Sequence, residues 1–105
     1  MLVGMAGKKK RNSEKKRNFA LYRALMAADI GGLPILQQIK RIGQLVDVSG
    51  DLMQIEGINR AIELCATLIR GSLLNEQKGL LHYFCANAWS HKRHILRVPH
   101  DNWKR

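Results

Sequence analysis

A chain of 105 residues, 46% hydrophobic and 25% charged, is long enough for one compact domain, which excludes most multidomain enzymes. Its formal charge of +10 is divided between residues 1–17, with a net charge of +6, and residues 92–105, with a net charge of +4, while the stretch between them is neutral. Two cysteines twenty residues apart, and the lack of an apolar run of ~20 residues, exclude a small disulfide scaffold and a membrane-spanning helix and favour a cytoplasmic protein.

The chain begins with a predicted disordered basic arm over 1–13, because its glycines, its serine and its like charges leave little to bury. Its apolar start is too short for a secretion signal, and the charges follow it instead of preceding it. A helical domain is expected over 14–95, followed by a basic C-terminal tail over 96–105. Apolar residues at helical spacing predict a first helix from Lys15 to Asp29, which Gly31-Gly32 ends.

The second predicted helix begins after Pro34, which suits a first helical turn. Its apolar residues step by four, three and four, at Ile35, Ile39, Ile42 and Val46. Residues 47–50 have the composition of a turn, and Ser49 or Asp51 is expected to cap the next helix.

The third predicted helix ends near Gly71, and Gly57 is expected to kink it or to let a neighbouring helix approach closely. Its predicted inner stripe consists of Leu52, Ile55, Ile58, Ile62, Cys65 and Ile69.

Ser72 or Asn75 is expected to cap a fourth helix that runs to about His94, with any continuation ended by Pro99. Its predicted buried face consists of Leu80, Leu81, Phe84, Cys85 and Ala88. Four helical segments without period-two alternation predict an all-α protein, a small bundle of about four helices.

Part of this pattern resembles a tetratricopeptide repeat. The run Cys85-Ala86-Asn87-Ala88-Trp89 is similar to the first helix of such a repeat, and Asn59-Arg60-Ala61-Ile62-Glu63-Leu64 is similar to its second helix. The likeness spans 34 positions over 57–90, the period of this repeat. It implies an antiparallel helical hairpin, binding to an unidentified protein partner, and self-association through an unfinished stack. The implied packing residues are Ala61, Leu64, Phe84, Ala86 and Trp89.

The stretch from Leu73 to Ser90 also resembles the helical front part of bacterial proteins that join such repeats to a C-terminal HEPN domain. Arg93 and His100 have a spacing similar to the HEPN ribonuclease motif, but Pro99 interrupts the helix that would present both, so we expect no enzyme. His91 and His94 lack further evident ligands and are flanked by cations, so we expect no metal and no cofactor.

The basic ends favour an alternative function, the binding of RNA, DNA or another polyanion. A solvated tail that only keeps the protein soluble explains the same charges. We expect a non-enzymatic, tetratricopeptide-like interaction module as the first function and nucleic-acid binding as the alternative. The residues assigned to the alternative are Lys8, Lys9, Lys10, Arg11, Lys15, Lys16, Arg17, Arg93, Lys104 and Arg105.

Overall fold

The computed structural model describes the backbone of residues 2–103 and the side chains of residues 13–97. Within that backbone the chain forms four helices and no strand: α1 (Leu2–Ala27), α2 (Ile35–Asp51), α3 (Ile55–Ile69) and α4 (Asn75–Trp103). The prediction of an all-α bundle is therefore confirmed. The expected arm over 1–13 and tail over 96–105 lie largely outside the described side chains and stay predictions.

Helix α2 is longer than the sequence indicated, and the turn expected at 47–50 is wrong. These residues are helical, because Val48 and Ser49 are buried against neighbouring helices, and this packing outweighs their weak helix propensity. The chain turns at Leu52, Met53 and Gln54 instead. The N–H of Gln54 donates to the carbonyl of Ser49 at 2.9 Å, and the N–H of Met53 donates to that of Gly50 at 3.2 Å. With Met53 at φ 57°, this is a Schellman motif.

The beginning of α3 also differs from the expectation. Its N-cap is Gln54, which makes no side-chain capping bond, so neither Ser49 nor Asp51 caps it. Leu52 consequently lies in the turn and not on the helix. The inner face of α3 is narrower than predicted, because Ile62 and Ile69 are only half-buried. Its fully packed residues are Gly57, Ile58, Ala61 and Cys65.

Two glycines of α2 fix its register against α4. A Cβ built on Gly43 would lie 2.6 Å from Cζ of Phe84, and one built on Gly50 would lie 2.5 Å from Cε1 of His91. Both pairs step by seven residues in the same direction, so α2 and α4 run parallel, and α3 connects them as an antiparallel helix. Gly57 allows close approach in the same way, toward Ser49 and Tyr22, and this confirms one of its two expected roles.

The core lies between α2, α3 and α4, and the predicted stripe of α2 lies in it. Ile39, Ile42 and Val46 have no solvent exposure. The other buried apolar residues are Leu25, Ile30, Leu45, Val48, Ile58, Ala61, Cys65, Leu81, Ala88 and Ile95. The hydroxyl of Ser49 is enclosed in this core without a hydrogen-bond partner among the described residues.

Helix α1 packs on α2 and α3, and its described part has no contact with α4. It ends at Ala27, ahead of the expected end at Gly31-Gly32, because the side chain of Asp29 accepts a hydrogen bond from the N–H of Gly31 at 3.1 Å and starts a turn. Leu25 and Ile30 anchor the helix end and the turn in the core. Residues 13–17 of α1 are exposed, so this part of the helix projects from the bundle.

Helix α4 begins at Asn75, so Leu74 holds the cap position, and neither Ser72 nor Asn75 caps the helix as expected. The side chain of Gln77 instead accepts a hydrogen bond from the N–H of Leu74 at 3.1 Å. The helix also passes Pro99 and ends at Trp103, so the end expected at Pro99 is wrong. Proline removes one intrahelical hydrogen bond, but its fixed φ is itself helical.

Candidate interaction surfaces

One flank of α4 carries large apolar side chains that nothing in the described part covers. Trp89 is 47% exposed and Leu96 is 59% exposed, and they lie two helical turns apart on the same side. The ammonium of Lys92 lies 5.0 Å from the centre of the Trp89 ring, a cation–π contact. We call this surface, formed by Cys85, Trp89, Lys92 and Leu96, the Trp89 face.

The exposure of this face corrects part of the expected helix packing. Ala61 is buried, and Leu64 and Phe84 are half-buried against the core, but Ala86 and Trp89 lie at the surface. The reason is the rotation of α4 about its axis. Its inner stripe is centred on Leu81, Ala88 and Ile95, and Ala86 lies about 200° from Ala88. Leu80, expected inside, is 37% exposed for the same reason.

The two cysteines lie where the Trp89 face of α4 adjoins α3. Cys65 is fully buried on α3, and Cys85 is half-buried on α4; both are free thiols. Burial raises the pKa of the Cys65 thiol to about 12, and the neighbouring Cys85 contributes to the rise. The thiol therefore stays protonated and behaves as a small apolar side chain.

A second surface, which we call the Phe19 groove, lies on α1. It is a cavity of about 400 Å³ lined, among the described residues, by Lys15, Lys16, Phe19 and Arg23. Lys15, Phe19 and Arg23 are spaced by four, so successive turns of one helix present a cation, an aromatic ring and another cation. The three basic side chains are exposed, and Phe19 is half-buried.

A third surface lies on the outer side of α2. Gln37, Lys40, Arg41 and Gln44 line a shallow cavity of about 320 Å³ at helical spacing. None of these four residues is acidic, so they present two positive charges and two amides.

The cations of α1 and α2 are not neutralised by neighbouring carboxylates. Within residues 13–97, none of Lys15, Lys16, Arg23, Lys40 and Arg41 has a carboxylate oxygen within 4.0 Å, the ion-pair distance. These side chains are therefore available to phosphate groups. Residues 18–91 are neutral as a whole, so their net charge does not reveal this local separation. The spacing of Lys15, Phe19 and Arg23 was the signal that could have found it.

Only some of the other predicted nucleic-acid-binding residues lie within the range whose side chains the structure describes. Arg17 is exposed on α1 and Arg93 on α4. The side chains of six further residues named above lie outside the described part: Lys8, Lys9, Lys10, Arg11, Lys104 and Arg105. The structure therefore does not bring the two basic ends together in its described part.

The histidines of α4 have different surroundings. The ring of His91 lies against Gly50 of α2, so it is a packing residue, whereas His94 is exposed. Between residues 13 and 97, no three His, Cys, Asp or Glu side chains are grouped so that they could hold a metal ion. His100, part of the expected ribonuclease spacing, lies outside the described side chains.

No described helix is both long and apolar enough to cross a bilayer. No family model, curated protein or solved structure matches this chain. The α3–α4 hairpin is present, and its likeness to a tetratricopeptide repeat stays a prediction.

Proposed function

We propose that this chain is a non-enzymatic α-helical interaction module and that a helix of its partner docks on the Trp89 face. The observation that carries this proposal is the exposure of Trp89 and Leu96, at 47% and 59%, on one side of α4. Tryptophan is enriched among residues that dominate binding energy, because its large ring buries much area at small entropic cost.

The repeat likeness supports the same surface. In a tetratricopeptide array, the helix that follows a hairpin packs on its small and aromatic residues. Here Ala86 and Trp89 have those residue types and are exposed. A partner helix placed there would take the position of the next repeat.

The charges beside the face define the partner further. Lys92 contacts the Trp89 ring and Arg93 is exposed next to it, and neither forms an ion pair with a described carboxylate. The partner is therefore an amphipathic helix with acidic residues beside its apolar stripe, since opposite charges at the rim favour association and orient it.

The test is the affinity of the full chain for two helical peptides that share one apolar stripe and differ in acidic or basic flanking residues, measured by fluorescence anisotropy. The acidic peptide is expected to bind more tightly. Trp89→Ala and Leu96→Ala should each weaken it at least tenfold, a change of about 1.4 kcal/mol in binding free energy.

The matched control is Leu36→Ala, since Leu36 on α2 is 49% exposed and lies on a different helix. It should leave the affinity unchanged. Equal affinity of the Trp89→Ala variant and the parent, with unfolding temperatures also equal, contradicts the proposal. A concentration-dependent dimer that Trp89→Ala abolishes would identify a second copy of the chain as the partner.

A second candidate function is the binding of nucleic acid, and the unneutralised cations of α1 and α2 favour it. Such binding should weaken steeply as salt rises, because each neutralised phosphate releases counterions. Replacing Lys40 and Arg41 together by Gln should lower the slope of log affinity against log salt. An affinity that does not change between ~50 and ~200 mM salt would exclude this function.

A further inference from the structure

We propose that the Phe19 groove binds single-stranded nucleic acid, with one base stacked on Phe19 and neighbouring phosphates on Lys15, Lys16 and Arg23. This inference rests on the second candidate function. It further specifies that the bound nucleic acid is single-stranded and that the Phe19 groove is the binding site.

The lining residues alternate along α1 in the order that would bind a phosphate, a base and a second phosphate of one strand. Lys15 and Arg23 lie about 6 Å before and after Phe19 along the helix axis, from ~1.5 Å per residue. A strand that follows α1 therefore meets a cation, an aromatic ring and a cation in turn. Phe19 is half-buried and lines the groove, and among the described residues its ring has no aromatic partner, so the part of the ring that faces the groove would stack on a base.

The aromatic ring favours a single strand over a duplex. In a duplex the bases stack on one another and present only their edges, so a ring reaches a base face only after unstacking. In a single strand the base faces are accessible, and every base has one, so this recognition tolerates any sequence. The cavity of about 400 Å³ is within the size range of small-ligand pockets and accommodates one base.

The experiment measures the affinity of the full chain for a 12-nucleotide uridine strand and for an RNA duplex of equal total charge, by anisotropy at several salt concentrations. The single strand is expected to bind roughly tenfold more tightly. Phe19→Leu should weaken the single strand roughly tenfold and leave duplex affinity unchanged, whereas Phe19→Trp should retain single-strand binding.

The matched charge control compares two exposed arginines of α1, since Arg23 lines the groove and Arg17 does not. Arg23→Gln should weaken single-strand binding several times more than Arg17→Gln. The unfolding temperature shows whether each variant remains folded.

Two negative results have different meanings. If the parent binds RNA in a salt-dependent way, but Phe19→Leu binds the single strand as tightly as the parent does, the groove assignment is overturned and the second candidate function stands. If the parent binds neither RNA at low salt, that function fails and the groove assignment fails with it.

Discussion

A methyl group has no room at Gly57, where a built Cβ would lie 2.5 Å from Cε1 of Tyr22 and 2.9 Å from Cβ of Ser49. Gly57→Ala should therefore lower the free energy of unfolding by about 1–3 kcal/mol, although alanine has the higher helix propensity. Urea denaturation followed by circular dichroism measures the change.

Gly79 provides the control, because a Cβ built there meets nothing within 4 Å. Gly79→Ala adds helix propensity without a clash and should raise the free energy of unfolding by about 0.5–1 kcal/mol. Similar effects of the two substitutions would show that the contact at Gly57 does not limit helix approach.

The buried thiol of Cys65 makes stability depend on alkaline pH. Its pKa is raised from 9.0 to about 12 by burial first and by Cys85 second, so the folded state holds the proton more tightly than the unfolded state. Its contribution to stability is complete below pH 9 and is lost as the pH rises through about 12. Burial and the charge of Glu56 also raise the pKa of Tyr22, which acts in the same direction.

The measurement is the free energy of unfolding at several pH values from about 8 to 11, for the parent and for Cys65→Ala. The variant should show a shallower decline above pH 9 than the parent, since it lacks the titrating thiol. Identical slopes would mean that the Cys65 thiol titrates normally in the folded protein.

At the scale of the elements, the connection from α2 to α3 contains a strained residue. Met53 has φ 57°, a left-handed conformation that costs a side-chain-bearing residue about 1 kcal/mol more than glycine. Met53 is 37% exposed and does not pack on the core, so we expect the relief of backbone strain to outweigh the burial that its side chain would lose. Met53→Gly should therefore raise the midpoint of thermal unfolding.

The comparison for this prediction is Met53→Val, because a β-branched side chain fits the left-handed region worst. It should lower the midpoint. If both substitutions lower it, the Met53 side chain contributes more through packing than its backbone conformation costs.

The same connection shows what the sequence could and could not predict. The apolar stripe of Ile39, Ile42 and Val46 was sufficient to place α2 and its buried face, because periodicity reports burial directly. Ser49 and Gly50 were taken for a turn, because these residue types favour turns when nothing packs on them. Their helical state depends on α3 and α4, which come later in the chain, and local composition does not encode such contacts.

The surface residues also divide into those that the sequence alone could predict and those that it could not. The basic residues Lys15 and Lys16 were identified from their type alone, and they line the Phe19 groove. The outward position of Ala86 and Trp89 depends on how α4 is rotated against α2. That rotation is set by the Gly43–Phe84 and Gly50–His91 contacts, which join residues about forty positions apart.

For the whole molecule, a net charge of +10 on 105 residues produces repulsion within the folded state. Sodium chloride shortens the screening distance from about 30 Å at 0.01 M to about 3 Å at 1 M. The midpoint of thermal unfolding should therefore rise by a few degrees over this range.

The ion pair at the surface of α3 does little to oppose this trend. Arg60 and Glu63 lie 3.8 Å apart at the surface of α3, and Arg60→Gln should change the free energy of unfolding by less than about 0.5 kcal/mol. A midpoint that falls as salt is added would mean that attractive ion pairs outweigh the repulsion.

The most direct test of the proposed function is a titration of the isotopically labelled full chain with the acidic helical peptide, followed by amide and indole chemical shifts. The indole N–H signal of Trp89 and the amides around Cys85, Lys92 and Leu96 should shift together and saturate, while those of Lys15 to Arg23 on α1 stay unchanged. Shifts confined to α1, or no shift at the indole of Trp89 at saturation, would contradict the account.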